Sequence, residues 1–324
     1  MTAFLLIITL VSTATGSVFI PLKELCRVIL EHITQTVTGS IIWKIRLPRV
    51  ASALLCGAYL AVAGLLLQVF FRNPIVGPFV LGISSGATLF VGMVMLAGIS
   101  IGFAFIHPFF QSLAAFLGAL LVTVVLVAVA SKVRSVVTLL IIGLMMGYLC
   151  YSVTSILIAF AEKERVKGFV LWQMGSFSGM TWIEFYILTT VGIPISFGAY
   201  LMGKPLNALL LGEDYAKSMG VNIKRLRCMI VIISSGLAGI VTAFAGPIAF
   251  IGLAVPHIAR LMLKTSDNRI LIPGVFLLGA IITLLCDLVS RTLSAPVELP
   301  LSAITSLFGA PVVIGLLLKR RTAI

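Results

Sequence analysis

The sequence predicts an all-α, polytopic membrane protein, and three observations carry that reading. Of its 324 residues, 60% are hydrophobic and only 10% are charged. Mean hydropathy is +1.20, far above that of a soluble domain. Apolar runs long enough to cross about 30 Å of hydrocarbon recur along the whole chain, and a helix satisfies its backbone hydrogen bonds within such a run. No stretch is left over for a soluble domain, so residues 1–324 read as one transmembrane domain.

Nine runs are long enough, near 3–21, 50–71, 78–98, 108–130, 136–160, 182–202, 229–246, 271–290 and 301–318. A tenth, Ile248 to Leu263, is short and broken by Gly252 and Pro256. Charge decides it, because each span added or omitted moves every later loop to the other side. With ten spans and an inner N-terminus, 14 of the 23 Lys/Arg lie inside, among them Arg72, Lys132, Arg134 and the cluster from Lys204 to Arg227. With nine, 8 lie inside and 15 outside, against the positive-inside tendency. The expectation is therefore ten transmembrane helices with both termini cytoplasmic. The first twenty residues lack a basic n-region and read as a first span rather than a signal peptide.

Between the spans, two outer segments are more than turns. Lys23 to Leu47 and Ala161 to Thr181 mix polar and apolar residues and suit short interfacial helices, a surface that could receive a soluble partner. Two further stretches break the membrane pattern in similar ways: Arg72 to Gly86, with Pro74, Gly77 and Pro78, and Gly246 to His257, with Pro247, Gly252 and Pro256. Paired breaks of this kind point to a transporter built from an internal inverted repeat.

The net charge of +13 would suggest nucleic acid in a soluble chain. Here the cations sit in short loops, where topology and membrane lipid account for them, and nucleic acid is excluded as a partner. Five cysteines form no CxxC pair, and His32, His107 and His257 are scattered, so no metal site is expected. No nucleophile, base and orienting group recur at a catalytic spacing, which argues against an enzyme.

The largest polar island is 208–227, ALLLGEDYAKSMGVNIKRLR. Gly212, then Glu213 and Asp214, then Lys217 and Gly220 give the charge order and stop signal of a short helix. Tyr215, Ala216 and Met219 are expected on one face. About eight residues make roughly 12 Å of helix, too short to persist alone, so it needs something to dock against. Just before it, Gly198 to Pro205 resembles the start of a phosphate-binding loop but has Pro205 where the Mg²⁺-binding Ser/Thr belongs. If transport here is driven by ATP, the ATPase must be another chain.

Three further features carry weight. Asp287 is the only acid well inside an apolar span; it either pairs with Arg291 one turn away or lines a wet cavity, where a proton-coupled secondary transporter would use it. Gly143 and Gly147 form a GxxxG pattern suited to close helix packing. Met145 and Met146 beside them, with Thr305 and Ser306 on the last span, are candidates to line a pathway.

Taken together, several motifs resemble one family, the FecCD/BtuC-type permease subunits of ABC importers for ferric siderophores, haem or cobalamin. They are Ile45-Arg-Leu-Pro-Arg49; Arg72-Asn-Pro74 with Leu81-Gly-Ile-Ser-Ser-Gly86; Leu211-Gly-Glu-Asp-Tyr-Ala-Lys-Ser-Met-Gly220; Gly246 to His257; and Glu298-Leu-Pro300 with Gly309-Ala-Pro311. The resemblance spans about 41–320. It implies a homodimer in the bacterial cytoplasmic (inner) membrane with the pathway at its interface. Its implied partners are two cytoplasmic ATPase subunits, which hold ATP and Mg²⁺ while this chain binds no cofactor, and a periplasmic or lipid-anchored substrate-binding protein. It assigns the ATPase-coupling role to Leu211, Gly212, Glu213, Tyr215, Ala216, Met219 and Gly220. Arg46, Arg49 and Arg291 are the corresponding candidates for docking the binding protein.

Overall fold

The computed structural model describes residues 1–16, 19–96, 108–133 and 135–321, and every regular element among them is helical. His107, Arg134 and the end of the expected span 78–98 lie outside the described residues.

The chain opens with α1 (Thr2–Ala14) and the short α2 (Leu22–Leu30). Leu25 and Val28 are the buried face of α2, packed with Ala14, Ile20 and Ile42 in a small satellite core. α3 (Val37–Ile41) runs through a π-helical turn at Ile42–Arg46 into α4 (Leu47–Phe71). The whole of 37–71 is thus one continuous helix of 35 residues, where the sequence suggested an interfacial segment followed by a span. Pro48 cannot donate to the preceding turn, and the wider π turn before it takes up the mismatch.

An irregular stretch and a 3₁₀ turn at Pro78–Leu81 lead into α5 (Ile83–Met95), followed by α6 (Pro108–Lys132), α7 (Val136–Phe160) and α8 (Lys163–Gln173). α9 (Trp182–Leu201) starts at a capping box in which Thr181 and Glu184 serve one another's backbone N–H groups. Next come α10 (Gly203–Leu211), α11 (Glu213–Ser218), α12 (Ile223–Ala245), α13 (Ile251–Leu263), α14 (Asn268–Thr292) and α15 (Leu301–Arg321). The near-miss phosphate loop is helix on both sides of Met202.

Among the described residues six helices are long and apolar enough to cross a membrane: 37–71, Phe110–Lys132, α7, α9, α12 and α14. Four shorter apolar helices accompany them, namely α1, α5, α13 and Leu301–Gly315. α1 therefore ends well before the expected boundary at residue 21. α5 begins late because Pro78 and Gly82, the latter with φ +75°, end any helix ahead of it.

α4 is the central post, buried along most of its length and packed by α14, α12, α13 and α9. Its close contact with α13 depends on glycine: a Cβ at Gly64 would collide with the Gly252 carbonyl. The GxxxG of α7 seats a turn rather than a helix, since a Cβ on Gly82 would come within 2.7 Å of Gly143 O. The two broken stretches also meet each other, with Pro78 against Gly252 and His257 Nε2 3.0 Å from Pro74 O.

Candidate functional site

At the C-terminal end of α4, α10 and α11 form a small projecting knob. α11 has six residues, fewer than the eight the sequence suggested. Gly212 (φ +134°) precedes it and Gly220 (φ +83°) follows it, conformations that L side chains rarely adopt. Ala216 is fully buried beneath the helix, whereas Tyr215 and Met219 are 48% and 61% exposed and Leu211 is exposed beside them. Burial divides the three residues expected to share a face: within the 100° arc that they span, Tyr215 and Met219 face outward and Ala216, at its edge, turns to the seat of the helix.

Two arginines outside the knob hold it in place. Arg72 Nη2 donates to Leu209 O at 2.7 Å, tying α10 to the end of α4. Arg227, on the first turns of α12, donates to Val133 O, lies 3.5 Å from Glu213 Oε1 and sits over the Phe70 ring at 5.8 Å. Sequence reading counted Arg227 only as an inner cation. Its signal was its place at the start of an apolar helix, where a guanidinium needs partners. On the rim, Asp214 pairs with Lys217 at 2.9 Å, and that hydrogen bond holds its carboxyl below the usual range. Cavities of about 510 and 460 Å³ flank α11, and Glu213 lines both. The result is an exposed knob with an apolar tip, anchored by ion pairs and flanked by clefts.

The N-terminal end of α4 carries a different construction. Arg49 donates to Asp287 Oδ1 (2.8 Å from Nη2, 3.0 Å from Nε) and to Glu298 Oε1 (2.6 Å from Nη1). Arg291 Nε lies 3.3 Å from Asp287 Oδ2, and its Nη2 donates to Ser12 O and Oγ. Arg46 donates to Thr13 O at 2.8 Å and Ala14 O at 2.7 Å. The last carbonyls of α1 are thus capped by two guanidinium groups, which also favour the negative end of the helix dipole.

Arg46, Arg49 and Arg291 are each at most 6% exposed, so they do not present their charge outward as docking residues would. The cause is local: orphan carbonyls and a buried carboxylate in apolar surroundings compete for every nearby donor. Asp287, itself 1% exposed, is clamped between two arginines rather than lining a wet cavity.

A third feature is a cavity of about 710 Å³ between α5, α7 and the stretch before α13. Its lining includes Ser85, Tyr148, Tyr151, Thr154, Gln173 and Ser302, and no charged side chain. None of Met145, Met146, Thr305 and Ser306 lines it. Met145 is exposed on α7, Met146 packs against the core, Thr305 is fully buried, and Thr305 and Ser306 both donate to Ser302 O. The cavity is lined instead by other residues of the same two helices, Leu144, Gly147, Tyr148 and Tyr151 of α7 and Ser302 of α15 among them. Among the described residues no group of His, Cys, Asp or Glu could hold a metal ion.

Comparison with known proteins bears on what this arrangement does. The model of the FecCD transport family matches residues 4–319. The vitamin B12 import system permease protein BtuC of Salmonella typhi is 38% identical over 278 residues, 86% of this chain and 83% of that protein. BtuC of Citrobacter koseri is 37% identical over 280 residues, with the same coverage. A solved inward-facing conformation of a metal-chelate type ABC transporter superposes with a TM-score of 0.86 at 28% identity, over 98% of this chain and 97% of that one. PsaBC from Streptococcus pneumoniae, bound to a Fab, is similar in fold alone, with a TM-score of 0.56 at 13% identity over 89% and 93% of the two chains.

Proposed function

The chain belongs to the FecCD transport family, and from that premise we propose that it is the permease subunit of an ATP-driven importer moving a metal chelate of the ferric siderophore, haem or cobalamin class into the cytoplasm. It is a multi-pass protein of the bacterial inner membrane and a transport subunit rather than an enzyme; ATP hydrolysis belongs to a separate partner chain. The six long and four short apolar helices support a ten-span arrangement with both termini cytoplasmic. The two mirrored breaks support an internal inverted repeat.

The observation that carries the reading is the α11 knob. A six-residue helix with Tyr215 and Met219 exposed at its tip gains nothing from its own chain by showing them to water. Seated in a cleft of an ATPase, those side chains are buried, and closure of two ATPases would push on the knob through Leu211, Gly212, Glu213 and Gly220. Ala216 below and Arg227 behind transmit the push to α12 and α4. Two copies of the chain would then open to one side at a time along the faces of α7 and α15. The α7 span is only 17% buried within one chain, which leaves its surface for lipid, a second copy or cargo.

At the opposite end, a substrate-binding protein would meet a surface shaped by the arginine clamp. Arg46, Arg49 and Arg291 act there by holding α1, α4 and α14 together, and Glu298, 40% exposed at its side chain, is the member of the cluster that reaches the surface. ATP and Mg²⁺ reside on the partner ATPase.

Co-purification and reconstitution test the reading. A stable complex with an ATPase, and chelate uptake into proteoliposomes that requires ATP, are the expected results. Uptake by this chain alone under a proton gradient would overturn it.

A further inference from the structure

One of the two clefts beside α11, of about 460 Å³, is lined by Lys132, Lys217, Lys224 and Arg227 against the single carboxylate of Glu213. Two of these cations are committed, Arg227 to Glu213 and Val133 O, and Lys217 to Asp214. Lys132 and Lys224 are not: both are exposed, and among the described residues neither lies within ion-pair distance of a carboxylate. Helix electrostatics account for only one of them. Lys132 closes α6, where a cation suits the negative end of the helix dipole. Lys224 stands in the first turn of α12, beside Arg225 and with no acid, where the positive end repels it. An anion in the cleft is therefore stabilised by the lysines and by the dipole of α12 together.

The depth of the cleft is a second and independent observation. Lys132 is the last residue of one apolar span, Phe110–Lys132, and Lys224 is the second residue of another, Ile223–Ala245. The two helices pack on each other, so the cleft opens where both spans leave the hydrocarbon, at the level of phospholipid headgroups. α6 also carries one apolar stripe that leads to it. Leu117, Leu121, Val124 and Ala128 are all exposed at helical spacing, and Lys132 follows one turn later on the same stripe. A soluble anion leaves that stripe bare, whereas an acyl chain covers it.

We propose that this cleft binds the headgroup of an anionic phospholipid, its phosphate oxygens held by Lys132 and Lys224 and an acyl chain lying along the 117–128 stripe. Phosphatidylglycerol brings that negative charge uncompensated. Phosphatidylethanolamine has the same phosphate, but its own ammonium neutralises it and competes with the lysines. Bound there, the headgroup fills the space between the ends of α6 and α12 and the flank of α11.

The test uses the full chain in detergent, without an ATPase, so its outcome is independent of the transport reading. An equimolar mixture of phosphatidylglycerol and phosphatidylethanolamine is offered, and retention is read by native mass spectrometry. Phosphatidylglycerol is expected to be retained about twentyfold over phosphatidylethanolamine, and Lys132→Gln or Lys224→Gln each to lower that preference about fivefold. Both lysines are exposed, so the variants fold, and melting curves check it. Lys23→Gln and Lys163→Gln, at exposed lysines of α2 and α8, leave the preference unchanged. Equal retention of the two lipids, or an equal loss in the α2 and α8 variants, overturns the site. Either rival occupant overturns it too. Sodium phosphate that raises the melting midpoint as much as phosphatidylglycerol does, against sodium chloride at equal ionic strength, marks a soluble ion. Lysine variants that keep the lipid but no longer co-purify with the ATPase mark an acidic protein surface.

Discussion

Arg49 reaches across 238 positions of sequence to donate to Asp287 at 2.8 Å, with both side chains almost wholly buried. Around that bond Glu298 and Arg291 complete a four-residue cluster that ties α4 to α14 and to the turn before α15. Removing one member of a buried ion pair leaves an uncompensated charge, and the loss exceeds the net worth of the intact pair. Asp287→Ala leaves Arg291 without a carboxylate and Arg49 with Glu298 alone, and is expected to cost about 3–5 kcal/mol. The measurement is thermal denaturation of the purified chain; an unchanged midpoint would mean the cluster contributes nothing to stability.

At the other end of α4, Met219 stands 61% exposed while Ala216 is fully buried three residues before it. Met219→Glu is expected to leave insertion and stability unchanged and to lower ATP-dependent uptake about tenfold, a loss of roughly 1.4 kcal/mol of coupling. Ala216→Leu works from below, overpacking the seat of α11 at a cost of about 1–3 kcal/mol. Uptake assays paired with melting curves separate the two: full uptake by Met219→Glu would remove the tip from the mechanism.

Arg227 joins α11, α12, the segment at Val133 and the Phe70 ring. Arg227→Leu is expected to destabilise by about 2 kcal/mol, since it deletes bonds to a carbonyl and a carboxylate together. Glu213→Gln costs less, because Glu213 is 34% exposed and water replaces its partner. The double variant should fall short of the sum of the two, and strict additivity would show that the pair is not coupled.

Asp267 caps α14 and takes a hydrogen bond from Asn207, which with Arg269 holds its carboxyl down to about 2 from the ordinary 3.8. A depressed carboxylate contributes stability in full above its unfolded value, and the contribution disappears as pH falls through the folded value. Acid titration of stability should therefore drop between about pH 4 and pH 2, and Asp267→Asn should flatten that limb. An identical acid limb in the variant would remove Asp267 from the capping network.

Much of the architecture was legible locally. The span 136–160 is helical over those same residues, and the next span, α9, runs 182–201 against an expected 182–202. Hydropathy and an N-terminal cap suffice in such places because lipid and a single capping side chain decide where the helix starts and stops. The knob was legible for the same reason: Gly212, the acids after it and Gly220 act on their own turn.

Partners distant in sequence decided the rest. α1 stops at Ala14 where Arg46 and Arg291 take its carbonyls, and nothing in residues 1–21 announces that. Asp287 and Arg291 could be paired on paper at i, i+4, yet Arg49 and Glu298 complete the cluster from 238 and 11 positions away, and so three arginines expected to face a partner protein are turned inward. Sequence alone determined an all-helical membrane chain, the place of its breaks and the short helix that would need a partner, because each depends on neighbours within a turn or two. Tertiary structure alone decided which way the buried charges and amides point, because a desolvated polar group is oriented by whatever partner folding brings to it.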